Sequence, residues 1–73
     1  MTEAEKYKKL QTETVFLMHE WENVALRSEP GENGRWFAKP KGQEEKEVLH
    51  TTNLVKEAMM KWNEMSKEEY EKY

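Results

Sequence analysis

The chain has 73 residues, which is enough for one domain and leaves little room for a deep catalytic cleft. It contains no cysteine, so disulfides, thiolate metal sites and cysteine nucleophiles are excluded. Charged residues make up 37% of the chain, but the net charge is only -3 and three tryptophans and five methionines can build a core. We therefore expect a folded single domain, 1–73, rather than a disordered chain.

The composition also bears on location. The longest apolar run covers only residues 15–18, far below the roughly 18 apolar residues that indicate a membrane span. The first five residues are acidic and lack the basic start and apolar middle of a signal peptide. These features predict a cytoplasmic protein without membrane contact.

The first third of the chain has helical periodicity. Thr2 followed by Glu5 is a capping box, a signature of a helix start. Apolar or semi-apolar residues then recur every seven positions, at Tyr7, Thr14 and Trp21 and at Leu10, Leu17 and Val24. This spacing predicts an amphipathic helix from about Glu3 to about Glu22.

The middle of the chain is rich in turn signals. Pro30-Gly31 and Asn33-Gly34 separate two short runs, 23–28 and 35–39, and Asn-Gly suits a type I′ turn. The two runs either pair as a β-hairpin, which we favour, or the first helix continues to Ser28 and leaves one extended segment. Pro40 and Gly42 are expected to end that segment.

Helical periodicity returns in the last third. The charged run 43–47 suits the positive end of a helix dipole, and Val48, Val55 and Trp62 are again seven apart. Thr51 to Asn53 interrupts this pattern, so we predict the main helix over about 53–65. Ser66 with Glu69 is a second capping box and predicts a short C-terminal helix.

Together these elements predict a mainly α fold, with α+β as the alternative. Two amphipathic helices would pack against each other, each contributing a tryptophan, Trp21 and Trp62. A central turn-rich segment with a short hairpin and a short C-terminal helix would complete the domain. Such a small domain is also a candidate for homodimerisation, with its helices pairing into a four-helix bundle.

The residues required for common catalytic sites are missing. His19 and His50 are the two histidines, and Asn23 stands where a zincin helix would need its second histidine. The chain has no aspartate for a Ser-His-Asp triad, and its glycines lack the Lys-Ser/Thr that follows a phosphate loop. We therefore predict no metal site, no cofactor and no enzymatic activity.

The most informative stretch is basic and aromatic in an otherwise acidic chain. Its candidate partner-binding residues are Arg35, Trp36, Phe37, Lys39 and Lys41. In a strand Arg35, Phe37 and Lys39 share one face. Trp36 would then lie in the core and Phe37 among cations. Three interpretations stay open: both rings close the core, the segment contacts a protein, or it binds nucleic acid through phosphates and base stacking.

The C-terminal part resembles a known family. The segment Trp62-Asn63-Glu64-Met65-Ser66, followed by acidic residues and Tyr70, is similar to the end of the second helix and the start of the third in an HMG box. The resemblance covers about residues 54–73 and implies helices and minor-groove DNA binding. The basic N-terminal strand of that family is missing, the third helix is short and the net charge is negative, so no functional residues are transferred.

These observations predict a non-enzymatic binding protein, an adaptor or inhibitor that docks on a larger macromolecule, with a protein as the partner. The alternative is a nucleic-acid-binding regulator that uses segment 35–41.

Overall fold

The computed structural model of the protein describes residues 1–31 and 34–73. In chain order its elements are α1 (Glu3–Thr12), β1 (Val15–His19), a 3₁₀ helix (Glu20–Glu22), β2 (Val24–Ser28), β3 (Trp36–Pro40), β4 (Lys46–Val48), α2 (Asn53–Lys61) and α3 (Lys67–Lys72). The strands form one antiparallel sheet in the order β1-β2-β3-β4. The fold is therefore α+β, and the prediction of a mainly α protein is wrong.

The error lies in the first predicted helix, which ends at Thr12 rather than near Glu22. Val15, Leu17 and His19 alternate as the buried residues of β1, while Phe16 and Met18 between them are half-buried. Leu17 satisfies both the heptad and the alternating pattern, so periodicity alone did not separate helix from strand. Val15 and Phe16 are β-branched and aromatic residues that suit a sheet, and burial on both faces favours the strand.

The predicted hairpin is confirmed. β2 pairs with β3 in antiparallel register, with Ser28 opposite Trp36 and Arg27 opposite Phe37. The loop between them is closed by the Glu29 amide, which donates to the Arg35 carbonyl at 3.0 Å. The type I′ turn predicted at Asn33-Gly34 lies outside the described residues.

The extended segment ends at Pro40 and Gly42, as predicted, in a tight turn that leads towards β4. The Gln43 amide donates to the Pro40 carbonyl at 2.9 Å, and Gly42 has a φ of 75° at the third position, as in a type II turn. The charged run 43–47 does not start a helix, because its last residues, 46 and 47, belong to β4.

The hydrophobic core lies on one face of the sheet, where α2 packs on β1. The fully or nearly fully buried core residues are Val15, Leu17, Leu26, Trp36, Val55 and Ala58. Leu10 of α1 and Met59 of α2 are half-buried and pack against this cluster. The two helices predicted to pair with each other are thus layered on a sheet instead, which also removes the basis for a four-helix-bundle dimer. Homodimer formation itself stays a prediction.

The predicted helix starts are confirmed. Thr2 and Ser66 each form a complete capping box, with Glu5 and Glu69 respectively. α2 begins at Asn53, capped by the Thr52 side chain, but it ends at Lys61 and not near residue 65. It ends there because Trp62 adopts a left-handed conformation with a φ of 49°.

After α2 the chain runs along the free edge of β1 and continues to the other face of the sheet. The Met18 amide donates to the Asn63 carbonyl at 2.9 Å, and the Met65 amide donates to the Phe16 carbonyl at 3.0 Å. α3 then places the Tyr70 ring 5.0 Å from the Phe16 ring. An edge strand that would otherwise offer unpaired backbone groups is covered by the chain itself.

The sheet also settles the comparison with an HMG box. The four strands between α1 and α2 have no counterpart in a helical HMG box, so the resemblance at 54–73 does not extend to the fold. Within the described ranges the longest helix has ten residues, and none is long and apolar enough to cross a bilayer.

Candidate functional site

The basic-aromatic segment forms β3 and its flanks. Trp36 and Ala38 face the core, each 4% exposed, whereas Phe37 and Lys39 lie on the opposite face of the sheet. The predicted division of faces is therefore confirmed. Trp36 supports the core and does not present its ring at the surface, while Phe37 is half-buried and lies among cations as expected.

The arginines around Phe37 are paired with carboxylates. Arg27 stacks 4.1 Å from the Phe37 ring centroid and donates to both Glu45 oxygens, at 2.7 and 3.2 Å, and to Glu29 at 2.9 Å. Arg35 makes a two-pronged pair with Glu47, both bonds at 3.0 Å. The positive charge that the sequence pattern suggested is thus largely balanced by glutamates from neighbouring segments.

The remaining cations of the segment are less constrained. Lys39 lies 5.9 Å from the Tyr73 ring centroid, and Lys41 is exposed at the β3–β4 turn. The structure therefore brings Arg35, Phe37 and Lys39 together on one outer face, with Lys41 at its end and Trp36 on the other side of the sheet.

Glu45 links this outer face of the sheet to α3. It accepts from Arg27 and also from the Tyr70 hydroxyl at 2.6 Å. Hydrogen bonding from Arg27 is the main cause that lowers the pKa of the Glu45 carboxyl below its usual range. A carboxyl whose pKa is lower in the folded than in the unfolded state stabilises the fold above the unfolded pKa, and this stabilisation is lost as pH falls.

We predict that the thermal midpoint falls as pH is lowered from about 5 to about 3, and that Glu45→Gln makes this fall shallower. The measurement is circular dichroism melting across that pH range. The matched control is Glu44→Gln at the exposed neighbouring position, which should keep the wild-type slope. An unchanged slope in Glu45→Gln would contradict the assigned role of this carboxylate.

A second surface, which sequence reasoning did not find, lies at the C-terminal end of β1. We call it the Trp21 groove, and it is lined mainly by His19, Trp21, Glu57, Met60, Lys61 and Trp62. It occupies about 570 Å³, within the roughly 300–1,000 Å³ of typical ligand sites, but it is open to solvent. Its walls come from the 3₁₀ helix after β1 and from the C-terminal end of α2.

Two large apolar side chains are exposed at this groove. Trp21 is 73% exposed and Met60 is 79% exposed. The heptad pattern predicted Trp21 in a helix–helix interface with Trp62. This prediction is wrong because β1 ends at His19 and Trp21 lies in the turn to β2. Burial alternates at Val15, Leu17 and His19, but residues 15–18 are all apolar in the sequence, so no local signal placed Trp21 beyond a strand.

The backbone that presents these side chains is held in unusual conformations. Asn23, which ends the 3₁₀ helix, and Trp62, which ends α2, have φ values of 51° and 49°. Asparagine adopts this left-handed region readily, but a bulky residue such as tryptophan does so rarely and at a cost of about 1–3 kcal/mol. The Asn63 side chain ties the two walls together by donating to Glu20 at 2.9 Å.

The polar groups of the groove are only partly satisfied. His19 is 5% exposed, and its Nε2 lies 3.0 Å from a Glu57 oxygen. The buried Nδ1 of His19 and Nε1 of Trp62 have no hydrogen-bond partner among the described residues. Backbone strain of the kind seen at Trp62 concentrates at functional sites.

The groove suits binding better than proton transfer. The His19 Nε2 is already bonded to Glu57, and Nδ1 is buried, so neither imidazole nitrogen is accessible to a substrate. Within residues 1–31 and 34–73, no three His or Glu side chains come together as candidate metal ligands.

The fold and the groove define a small α+β domain with an exposed aromatic surface at one end of its sheet. No protein-family model, no curated protein and no solved structure shows significant similarity to the chain.

Proposed function

We propose that this chain is a small non-catalytic binding protein, an adaptor or inhibitor that docks on a protein partner through the Trp21 groove. The observation that carries the proposal is the exposure of Trp21 and Met60 at the same groove. Tryptophan and methionine are enriched in protein interfaces, and tryptophan is among the residues whose truncation most often weakens binding.

The way the groove is built supports this proposal. Trp21 lies in a turn next to Glu20, which accepts a hydrogen bond from the Asn63 side chain. The backbone of Asn63 is in turn hydrogen-bonded to β1. A turn whose backbone is already fixed loses little further conformational entropy when a partner covers it. Exposed apolar side chains grouped at one place, rather than scattered singly, mark interaction sites.

The test uses a double variant, Trp21→Ser with Met60→Ser. A tagged wild-type chain first captures its partner from cell lysate, with and without nuclease, and mass spectrometry identifies it. Calorimetry with the purified partner should then show affinity reduced at least about 30-fold in the double variant, or about 2 kcal/mol. The matched control is Tyr7→Ser with Leu49→Ser, because these side chains are 62% and 72% exposed outside the groove.

The outcome is decisive for the site. Wild-type affinity in the Trp21/Met60 double variant, together with wild-type folding by circular dichroism, would contradict the proposal. Loss of binding only in an Arg35→Ala, Phe37→Ala variant would instead assign the interface to the outer face of the sheet.

The alternative function, nucleic-acid binding through segment 35–41, has its own support. Phe37 lies between Arg27 and Arg35 with Lys39 on the same outer face. The glutamates paired with both arginines argue for the protein-binding proposal over this one. Nucleic-acid binding predicts that captured material is lost with nuclease and that affinity falls steeply with salt.

A further inference from the structure

The Trp21 groove already holds a cation on its aromatic surface. The Lys61 ammonium lies 4.3 Å from the centroid of the exposed Trp21 ring, within the distance of a cation–π contact. The second tryptophan of the groove, Trp62, also has an ammonium over its ring, that of Lys6 at 5.6 Å. The indole rings of Trp21 and Trp62 therefore each have a face that attracts positive charge.

Carboxylates line the same groove. Glu20 accepts one hydrogen bond from the neutral Asn63 amide through Oε1, and Glu57 contacts His19 through Oε2. Their second oxygens, Glu20 Oε2 and Glu57 Oε1, have no donor among the described residues. The Glu57 side chain is 48% exposed, so this carboxylate is accessible to a ligand. An ionised carboxylate has about four acceptor positions, so each of these groups can accept further bonds.

Aromatic faces and acceptor-rich carboxylates in one groove define the chemistry of its ligand. We propose that the groove binds a basic segment of the protein partner, in which an arginine stacks on Trp21 and pairs with Glu57 or Glu20 while an apolar neighbour contacts Met60. This inference rests on the function proposed above and specifies the partner. In it, Lys61 acts as an internal competitor that occupies the Trp21 face when no partner is bound.

The physical properties of arginine favour this exchange. A guanidinium is planar, less strongly hydrated than an ammonium, and can bind a carboxylate through two parallel bonds while stacking on an indole. The contact of Lys61 with an exposed ring is weak by comparison, because water competes for the ammonium. Displaced from the ring, Lys61 returns to solvent on its flexible side chain.

The experiment is a nuclear magnetic resonance titration of the indole N–H signals of Trp21, Trp36 and Trp62. The probes are two capped tetrapeptides, Gly-Arg-Leu-Gly and the same peptide with citrulline, the neutral isostere, in place of arginine. We expect the Trp21 signal to move with the arginine peptide, which should bind at least about fivefold tighter than the citrulline peptide. Trp36 is buried in the core and serves as the internal reference.

Variants separate charge from shape. Glu57→Gln is expected to lower the affinity for the arginine peptide about threefold to fivefold. Lys61→Met is expected to raise that affinity about twofold to threefold by removing the competing ammonium. Glu44→Gln, an exposed carboxylate outside the groove, should have no effect. An unchanged Trp36 signal confirms that each variant is folded.

Two results would overturn the inference. Equal affinity for the arginine and citrulline peptides would show that charge is not recognised. No movement of the Trp21 signal with the arginine peptide up to about 10 mM would show that the groove does not take this ligand. In either case the function proposed above still stands if the natural partner loses affinity in the Trp21/Met60 double variant, so the two failures are distinguishable.

Discussion

A Trp36→Ala variant is expected to lose about 3–5 kcal/mol of unfolding free energy. Trp36 is 4% exposed and packs in the core cluster with Leu17 and Leu26, between Ser28 and Val48 of the neighbouring strands. Removing the indole leaves a cavity that the sheet cannot fill without moving. A domain of this size has a total stability of about 4–11 kcal/mol, so the loss leaves it marginally folded or unfolded. Urea denaturation followed by circular dichroism measures the change.

The chain offers a control of the same chemical change. Trp21→Ala removes an indole that is 73% exposed, and it should alter the unfolding free energy by about 0.5 kcal/mol or less. Equal losses of unfolding free energy at the two positions would contradict the assignment of Trp36 to the core. The Trp36 ring would then be a candidate for surface contact with a partner. A large effect at Trp36 alone confirms that the basic-aromatic segment contributes its indole to stability.

The second large effect is expected at Tyr70, where replacement by alanine should cost about 3–5 kcal/mol. Tyr70 is 4% exposed, and its ring packs 5.0 Å from Phe16 while its hydroxyl donates to Glu45 at 2.6 Å. Because it is the buried residue of the short α3, its loss should release that helix from the outer face of the sheet. Urea denaturation measures the stability, and hydrogen exchange at the Met65 amide measures the loosening of the edge segment.

Tyr70→Phe separates the ring from the hydroxyl. It keeps the packing on Phe16 but removes the bond to Glu45, so we expect a cost of about 1–2 kcal/mol. Tyr7→Ala is the matched exposed control, with an expected effect near 0.5 kcal/mol or less. If Tyr70→Ala were no more destabilising than Tyr7→Ala, α3 would not be docked through this residue.

Local chemistry in the sequence determined where helices begin and where turns lie. The capping boxes at Thr2 and Ser66 predicted two helix starts because a side-chain oxygen and a glutamate three residues later satisfy free backbone amides without help from the rest of the fold. The β2–β3 hairpin and the turn at Gly42 were likewise readable, since backbone restrictions of proline and glycine act within a few residues. The opposite orientations of Trp36 and Phe37 followed directly from strand geometry.

Tertiary structure alone decided whether residues 15–19 form a helix or a strand. Leu17 fits both the helical and the strand periodicity. The strand is favoured because β1 forms backbone hydrogen bonds with β2 on one side and with residues 63–65 on the other. Those partners are distant in sequence, so no local pattern contains them.

The same distance explains why the exposed groove was not predicted from the sequence. The sequence left Arg35 available for a ligand, but the fold pairs it with Glu47 and pairs the neighbouring Arg27 with Glu45. Trp21 was assigned to the core, yet the turn after β1 exposes it at the end of α2. Which charges are balanced and which rings are exposed depends on long-range contacts, and these form only when the whole chain folds.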